Sequence, residues 1–506
     1  MKKLILISAL IFQFLSTSYA QNKTIALSDV KYDILNNKKS KGILKGKIIN
    51  ASLEELKAIN IVYTFVNLLG PYQTTFHTKA SEDGMFFIEQ TQNLPYQQVW
   101  LSFGNYVFTS VYLQNELEIT FDLAKLKQKS VSMIGNGLTF KGKDGELNTI
   151  MNEYLKFNNQ NNPNFHISLR ELEEENKNYI SKLDSLFSIQ YNIDQEFFKK
   201  QGDTHKLLID ANTKAKYYSH LVKYYLNNRI KIDNIKDCLT PIYAISNETV
   251  NYISNLRRYT HGVLYPDYKT WKDYNRVFNF VDTTYDLNFN EIIKLNFEDK
   301  DVTTQNNIYK EALSSAKSNW AKTLLQQEID NLNKKEKEIK DLLTINLAAK
   351  ESNLGTLTKS LPFHADLYLN NSNSGKEILQ NIKASFPNKL IILDIWATWC
   401  EPCLSQMPAS KRLHELVKEK NLPVEFVYLC TDRSSDVSKW ENKIAELQQP
   451  GTHLFASDKN IADLFQLFNR SGFPTYVAIK PNGEIDTKSI SCISHLKIED
   501  LKKMLE

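Results

Sequence analysis

Residues 390–403 read LIILDIWATWCEPC and contain the pattern that decides the fold. The apolar run at residues 390–395 predicts a buried β-strand, and Cys400 follows it after four further residues. A helix is predicted from near Cys400 to about Lys420, which places the Cys-x-x-Cys pair at a strand-to-helix junction. Strand patterns at residues 424–429, 452–455 and 476–479 alternate with helix patterns at 435–447, 461–468 and 495–505. This alternation predicts an α/β arrangement built from βαβ units.

The spacing of Cys400 and Cys403 occurs both in structural zinc sites and in redox-active cysteine pairs. A structural zinc site needs a second pair of ligands, but Cys238, Cys430 and Cys492 are isolated and no two histidines have ligand spacing. A redox pair fits the position better, because the free N–H groups and the dipole at a helix N-terminus favour a thiolate. Cys400 is therefore predicted to be the attacking thiolate and Cys403 the resolving cysteine, joined by a Cys400–Cys403 disulfide when oxidised. The three isolated cysteines are predicted to be buried structural thiols.

The residues around this pair carry a family resemblance. The stretch from Asp394 to Cys403, followed by Pro408, resembles the active site of thioredoxin-like thiol–disulfide oxidoreductases, in particular the exported TlpA/ResA type. Residues 472–475, Gly-Phe-Pro-Thr, resemble the cis-proline loop of that family. The resemblance covers roughly residues 361–506 and implies a C-terminal α/β thioredoxin fold. The order of a β module, a helical region and this module is also similar to TlpA-like proteins of Bacteroidota envelopes.

The resemblance implies roles for residues beside the cysteine pair. Asp394, on an apolar strand, would assist proton transfer to the resolving cysteine; a hydrogen-bonded structural Asp is the alternative. Pro474 would be cis and hold a sharp turn against the disulfide, and the backbone of Phe473 would pair with an extended substrate segment. Trp399 offers apolar surface for substrate docking, whereas Trp396 is predicted to be core.

Three residues near the pair bear on its redox properties. The carboxylate of Glu401 opposes a thiolate at Cys400, which predicts a raised thiol pKa and a more reducing couple; the alternative is that Glu401 only suits the first helical turn. Pro402 also suits that turn, where its missing N–H has no partner to lose, and is predicted to lie at the substrate-binding surface. Members of the TlpA/ResA type commonly have Glu where this sequence has Gln406. A Glu-based proton relay is therefore in doubt, and the role shifts to Asp394.

Composition excludes several classes of protein. The 506 residues contain 62 Lys+Arg against 58 Asp+Glu, which gives no electrostatic case for nucleic acid as a partner. Apolar residues make up 42% of the chain, enough for packed cores. Five cysteines are too few for a disulfide scaffold. The expected chemistry is that of the cysteine pair, with no cofactor other than a redox-active disulfide and no metal.

Four regions are predicted along the chain. Residues 1–20 have the positive start, apolar run and small-x-small end of a secretory signal peptide. Residues 21–135 form an antiparallel β-sandwich module, since alternating segments are separated by turn signals such as Asp83-Gly84, interpreted as a hairpin. Residues 136–354 form an α-helical domain in which Lys334–Lys340 is a solvated face. Residues 355–506 form the thioredoxin-like domain, with 355–373 as a linker or as its entry.

These features predict an exported enzyme, a thiol–disulfide oxidoreductase that reduces protein disulfides in the periplasm or cell envelope as a soluble protein. The partners implied are a disulfide-containing protein substrate and, by the resemblance, a membrane thiol-transfer protein as electron donor; the oligomeric state is not assigned. Two alternatives stay open. One is a disulfide oxidase or isomerase, and the other is an envelope binding protein whose first 350 or so residues recognise a partner while the thioredoxin module serves for docking.

Overall fold

A computed structural model describes residues 26–29, 41–172, 178–201, 205–264, 273–344 and 350–506. The predicted signal peptide at residues 1–20 lies outside the described residues. The chain divides into two compact units. The first contains the residues up to Glu298 together with Ile308–Glu328, and the second contains Asp299–Asn307 together with Ile329–Glu506. The predicted boundaries at residues 135 and 354 stay predictions.

The first unit contains a β module of two sheets. Its elements are β1 (Ile43–Ile49), α1 (Leu53–Ala58), β2 (Ile61–Val66), β3 (Gln73–Thr78), β4 (Met85–Glu89), β5 (Gln97–Phe103), β6 (Val107–Leu113), β7 (Glu116–Asp122), α2 (Leu123–Gln128), β8 (Val131–Ser132) and β9 (Leu138–Lys141). One sheet has the order β4-β1-β7-β9 and the other the order β3-β2-β5-β6-β8. Inward side chains of both sheets, such as Leu44 and Phe65, bury in one apolar core, as in a sandwich.

The β module differs from the predicted antiparallel sandwich in two respects. The pairs β1–β7 and β6–β8 are parallel, so both sheets are mixed. The predicted hairpin at Asp83-Gly84 is wrong, because β3 pairs with β2 whereas β4 pairs with β1 in the other sheet. Gly84 does form a turn, with φ of 80°, but this turn carries the chain from one sheet to the other. A turn signal reports a reversal of direction and does not identify the partner strand.

The central part of the chain is helical, as predicted. Its helices are α3 (Gly145–Asn161), α4 (Phe165–Arg170), α5 (Tyr179–Gln201), α6 (Lys206–Asn227), α7 (Asn247–Tyr259), α8 (Tyr274–Thr284), α9 (Leu287–Leu295), α10 (Val302–Ser315) and α11 (Asn319–Leu343). Apolar residues at helical spacing, such as Leu183 with Phe187 and Leu325 with Ile329, are buried. Among the described residues, none of the helices combines the length and the apolar character needed to cross a membrane.

The second unit is built on one large sheet with helices between its strands. Its elements are β10 (Lys350–Ser352), β11 (Gly355–Leu361), β12 (Ala365–Leu369), α12 (Gly375–Ser385), β13 (Leu390–Trp396), α13 (Glu401–Glu419), β14 (Val424–Thr431), α14 (Val437–Leu447), β15 (Gly451–Ala456), α15 (Asp458–Phe468), β16 (Thr475–Ile479), β17 (Ile485–Asp486) and α16 (Ile498–Leu505). The strand order is β10-β11-β12-β15-β14-β13-β16-β17. The pairs β12–β15, β15–β14 and β14–β13 are parallel, which confirms the βαβ prediction.

Helices cover both faces of this sheet, and β13 lies inside it between β14 and β16. Ile391 and Ile395 pack in an apolar cluster with residues of α12 and α15. Ile392 and Trp396 pack in a second cluster with residues of α13, α14 and α16. Successive side chains of a strand point to opposite faces, so Asp394 shares the face of Ile392 and Trp396. Cys400 and Cys403 belong to the same cluster on that face.

Residues 355–373 are the entry to this unit and not a linker. They contain β11 and β12, which pair antiparallel at one side of the sheet. Gly355 has φ of 117°, and a Cβ there would lie 2.2 Å from the carbonyl oxygen of Leu369. Only glycine fits this close approach of two strands.

The predicted solvated face at Lys334–Lys340 is wrong in part. Ile339 is buried against Val302 of α10. The Nζ of Lys335 lies 2.6 Å from a carboxylate oxygen of Glu446 on α14. A run of charged residues predicts a solvated helix face, but a single apolar residue within the run can still pack against a neighbouring helix.

Candidate active site

The two cysteines of the Cys-x-x-Cys motif lie where β13 leads into α13. Cys400 is the N-cap of the helix and Cys403 lies in its first turn. They form a disulfide with Cα atoms 5.3 Å apart, as predicted. The N–H of Cys403 donates a 3.2 Å hydrogen bond to the Sγ of Cys400. An N–H donor and the dipole at a helix N-terminus favour a cysteine thiolate over the neutral thiol.

The two sulfurs differ in accessibility. Cys400 is 5% exposed and Cys403 is fully buried. Pro402 lies between them in the first helical turn, where a missing N–H leaves no hydrogen bond unmade. An incoming group therefore meets Cys400 first, and Cys403 is reached only from within the protein.

An aromatic pair flanks the disulfide. Trp399 is 44% exposed, and its Nε1–H donates a 2.7 Å hydrogen bond to the carbonyl oxygen of Arg433. Its centroid lies 5.7 Å from that of Phe473 in an edge-to-face contact. The Phe473–Pro474 peptide bond is cis, as predicted. These residues form an apolar, partly exposed surface next to Cys400.

The strand register brings the cis-proline loop to the same edge of the sheet. Ile395 pairs with Thr475 in the antiparallel ladder of β13 and β16, so the loop at Pro474 lies beside the end of β13. The hydroxyl of Thr475 donates a 2.7 Å hydrogen bond to the carbonyl oxygen of Gly472, which closes the turn. The two sequence motifs, 71 positions apart from Cys403 to Pro474, therefore form one site.

Asp394 is a buried carboxyl on the cysteine-bearing face of β13. It is 2% exposed, and burial raises its pKa from 3.8 to about 8. Its Oδ1 atom has no hydrogen-bond partner among the described residues. Tyr428 and Tyr476 are its neighbours in register on the adjacent strands. A carboxyl that is neutral at pH 7 and easily ionised above it is suited to exchange a proton with a thiol.

Glu401 carries an ion pair that the sequence analysis missed. The Nζ of Lys300 lies 2.7 Å from the Oε2 of Glu401. Lys300 belongs to the segment Asp299–Asn307, which is part of the second unit although it lies 101 positions before Glu401. The prediction that Glu401 raises the pKa of the neighbouring thiol assumed an unpaired carboxylate. An opposite charge at this distance offsets that effect.

The C-terminal part of the chain is similar to known proteins. A family model described as thioredoxin-like matches residues 388–485. The chain is 32% identical over 82 residues to a thioredoxin of Coprinus comatus, in an alignment that covers 16% of this chain and 73% of that protein. The chain belongs to the thioredoxin family.

Two bacterial relatives refine this assignment. The chain is 37% identical over 98 residues to the thiol-disulfide oxidoreductase ResA of Oceanobacillus iheyensis, covering 19% of this chain and 47% of that protein. It is 30% identical over 121 residues to ResA of Bacillus thuringiensis, covering 24% of this chain and 62% of that protein. The chain thus spans about half of the length of the first of these relatives. The predicted resemblance to the TlpA/ResA type is confirmed for the thioredoxin-family domain.

Gln406 of the thioredoxin-family domain contacts a third cysteine. The Oε1 of Gln406 accepts hydrogen bonds from the thiol of Cys492 at 2.9 Å and from the N–H of Ser494 at 3.0 Å. The side chain of Gln406 therefore joins α13 to the short 3₁₀ turn before α16. No spacing signal in the sequence links these residues, because 86 positions separate Gln406 from Cys492.

The three cysteines outside the motif have different environments. Cys238 and Cys430 are buried free thiols, as predicted, and burial raises the pKa of each. The prediction of a buried thiol is wrong for Cys492, which is only partly buried, because the turn that carries it lies at the surface. Within the described part of the chain, no group of three or more His, Cys, Asp or Glu is placed to hold a metal ion.

Proposed function

We propose that this chain is an exported thiol–disulfide oxidoreductase that reduces protein disulfides. The observation that carries the proposal is the Cys400–Cys403 disulfide at the N-terminus of α13. Dithiol exchange needs a thiolate that a substrate can reach and a second thiol close enough to release the product. Cys400 and Cys403 meet these requirements, and the exposed ring of Trp399 adds a docking surface.

The proposed reaction has two steps. The Cys400 thiolate attacks one sulfur of a substrate disulfide, the substrate S–S bond breaks, and the leaving thiolate takes up a proton from water. The Cys403 thiol then loses its proton, and its thiolate attacks Cys400 in the mixed disulfide. The substrate leaves with both sulfurs reduced, and the Cys400–Cys403 dithiol, having given up two electrons, is oxidised to a disulfide.

Asp394 is the proposed acceptor of the Cys403 proton. Burial raises its pKa to about 8, so this carboxyl can take up and release a proton near neutral pH. Its side chain shares a face of β13 with the cluster that contains both cysteines. With a neutral amide at Gln406, Asp394 is the acid–base group that the proposal uses.

The proposed partners follow from the balance of electrons. Each cycle oxidises the dithiol, which must then receive two electrons from a donor. The proposed donor is a membrane thiol-transfer protein, and the proposed substrate is a disulfide-containing protein. Export to the periplasm or envelope is proposed from the signal-peptide pattern of residues 1–20, and no bound cofactor is needed beyond the disulfide.

We expect a reduction potential nearer to the roughly −270 mV of thioredoxin than to the roughly −120 mV of DsbA. The oxidising power of DsbA depends on a strongly stabilised thiolate, whereas here Glu401 stands next to Cys400 and is balanced by one cation. Equilibration of the full chain with defined ratios of reduced and oxidised glutathione, followed by alkylation of free thiols, measures the potential. A value close to that of DsbA would instead favour the oxidase or isomerase.

The substitution Trp399→Ala is expected to raise KM for a protein disulfide about tenfold while kcat changes less than about twofold. Loss of an exposed aromatic anchor costs about 1–2 kcal/mol of binding, and the sulfurs and Asp394 stay in place. Reduction of insulin disulfides at several substrate concentrations separates the two constants.

Leu416→Ala is the matched control for Trp399. Leu416 is 40% exposed on the same helix, 13 residues beyond Cys403 and so about 20 Å along its axis. The control should leave both constants unchanged. Equal effects of the two substitutions would contradict a docking role for Trp399.

A second candidate function is that of an envelope binding protein. A cavity of about 590 Å³ opens in the first unit, lined by polar and charged side chains that include Lys223, Arg257 and Glu298. Its size is within the range of small-molecule sites. This candidate would replace the first if the dithiol of the full chain did not exchange with glutathione in the equilibration described above.

A further inference from the structure

A segment from outside the α/β sheet packs beside the active site. Asp299–Asn307 and the end of α11 belong to the second unit, together with the thioredoxin-family domain. Val302 and Ile339 from these segments form a buried apolar cluster with Ala445 of α14. The helical region therefore supplies part of the unit that holds the dithiol.

Polar contacts fix the backbone of this segment at Lys300. The Nζ of Lys443, on α14, donates a hydrogen bond to the carbonyl oxygen of Lys300. Lys443 is nearly buried and forms an ion pair with Glu446, which also pairs with Lys335 of α11. A buried lysine that binds a carboxylate and a carbonyl oxygen has a well-defined position, because its ammonium group cannot exchange these partners for water. The start of the Lys300 side chain is thereby anchored.

The side chain of Lys300 ends at the motif itself. Its Nζ lies 2.7 Å from the Oε2 of Glu401, the residue that follows Cys400. The two side chains are 44% and 65% exposed, and an ion pair this exposed adds little to stability. Its effect on a neighbouring thiolate is a separate matter, because a carboxylate disfavours a thiolate and an ammonium favours it. Together the pair presents Cys400 with almost no net charge.

We propose that Lys300 is a positioning residue for the dithiol, which neutralises Glu401 and so sets how strongly Cys400 holds its thiolate form. This inference rests on the proposed dithiol exchange and extends it to a residue outside the thioredoxin-family domain. Removal of Lys300 leaves Glu401 unopposed, which favours the disulfide form. Removal of Glu401 leaves Lys300 unopposed, which favours the dithiol form.

The test measures the equilibrium of the full chain with glutathione for Lys300→Met, Glu401→Gln and the double variant. Lys300→Met removes the charge and keeps the aliphatic stem. We expect it to shift the equilibrium about two- to threefold toward the disulfide, which is about 9–14 mV at roughly 30 mV per tenfold. Glu401→Gln should shift it by a similar factor the other way, and the double variant should lie within about 1.5-fold of the wild type. Lys300→Arg should restore the wild-type value.

Lys389→Ala is the matched control. Lys389 is 43% exposed and lies 2.9 Å from Glu425, but it precedes β13 and so stands at the opposite end of that strand from Cys400. It should not change the equilibrium. The Lys300→Met shift should also vanish in about 1 M salt, where charges are screened beyond about 3 Å.

Two results overturn the inference. One is a Lys300→Met shift no larger than that of the control, and the other is single shifts in the same direction. A purely structural role for Lys300 would change the melting temperature without this opposed pattern of potentials. If the wild type itself did not exchange with glutathione, the proposed function would fail first, so the two failures are distinguishable.

Discussion

Replacing Cys400 with serine is expected to lower the rate of protein-disulfide reduction at least about a thousandfold. The hydroxyl of serine is not ionised at neutral pH, so the substitution removes the nucleophile that the proposal uses for the first step. Cys403 cannot take over, because it is fully buried beneath the first helical turn. Turnover of insulin disulfides by the full chain, with dithiothreitol as electron donor, measures the loss.

Two further variants make this result specific. Cys492→Ser is the control, since Cys492 is the partly buried free thiol and has no role in the proposed exchange. It should keep near wild-type turnover. Cys403→Ala should perform the first step and stop, so that substrate proteins accumulate as mixed disulfides on Cys400. Full activity in Cys400→Ser, or in Cys403→Ala without trapped substrate, would refute the proposed mechanism.

The substitution Asp394→Asn is expected to slow release of the mixed disulfide about a hundredfold at about pH 8.5, where most of the wild-type carboxyl is ionised and can accept a proton. An amide cannot accept the proton that Cys403 must lose, and general-base catalysis typically contributes at least this factor. The first attack by Cys400 should change only a few-fold. Rapid mixing with a disulfide substrate followed by acid quench resolves the two steps.

The same substitution is expected to change how stability depends on pH. The carboxyl of Asp394 ionises near 3.8 in the unfolded chain, but burial raises its pKa in the folded protein to about 8. Between these values the unfolded state binds fewer protons, so the wild type loses about 1.4 kcal/mol of unfolding free energy per pH unit that the variant does not lose. The variant's stability relative to wild type should therefore rise by about 4 kcal/mol from pH 4 to pH 7. Urea unfolding across this range measures it.

Asp366→Asn is the control for both effects. Asp366 is an exposed residue of β12 in the same unit. Its replacement should alter neither the release step nor the pH dependence. Parallel stability curves for wild type and Asp394→Asn would show that the carboxyl ionises normally, and the proton-acceptor role would then be lost.

The thioredoxin-family domain was predictable because its signals are local. The buried run of β13, the Cys-x-x-Cys spacing and the helix after it lie within 30 consecutive residues, residues 390–419. Each follows from a short-range cause: burial on both faces for the strand, and the helix N-terminus for Cys400. The cis form of the peptide bond before Pro474 was accessible through the family resemblance of residues 472–475. The pairing of strands in the β module could not be predicted, because it depends on contacts between residues that are distant in sequence.

The surroundings of the site were not predictable for the same reason. The contact of Lys300 with Glu401 and that of Gln406 with Cys492 join residues 101 and 86 positions apart. Neither pair has a spacing rule, since their proximity depends on how whole elements pack. The burial of Ile339 in α11 was likewise not predicted, because this single apolar residue stands in a run of charged residues. It is buried through its packing against α14.

The course of the backbone through the two compact units limits where the chain can be divided into separate domains. The chain changes unit after Glu298, after Asn307 and after Glu328. No single protease cut or gene fusion point can therefore release both units whole. A fusion at residue 355, where the predicted domain begins, would transfer the dithiol but leave behind Lys300 and the residues that anchor it. The unit that holds the dithiol is longer than the family match at residues 388–485, and it consists of two separate stretches of the sequence.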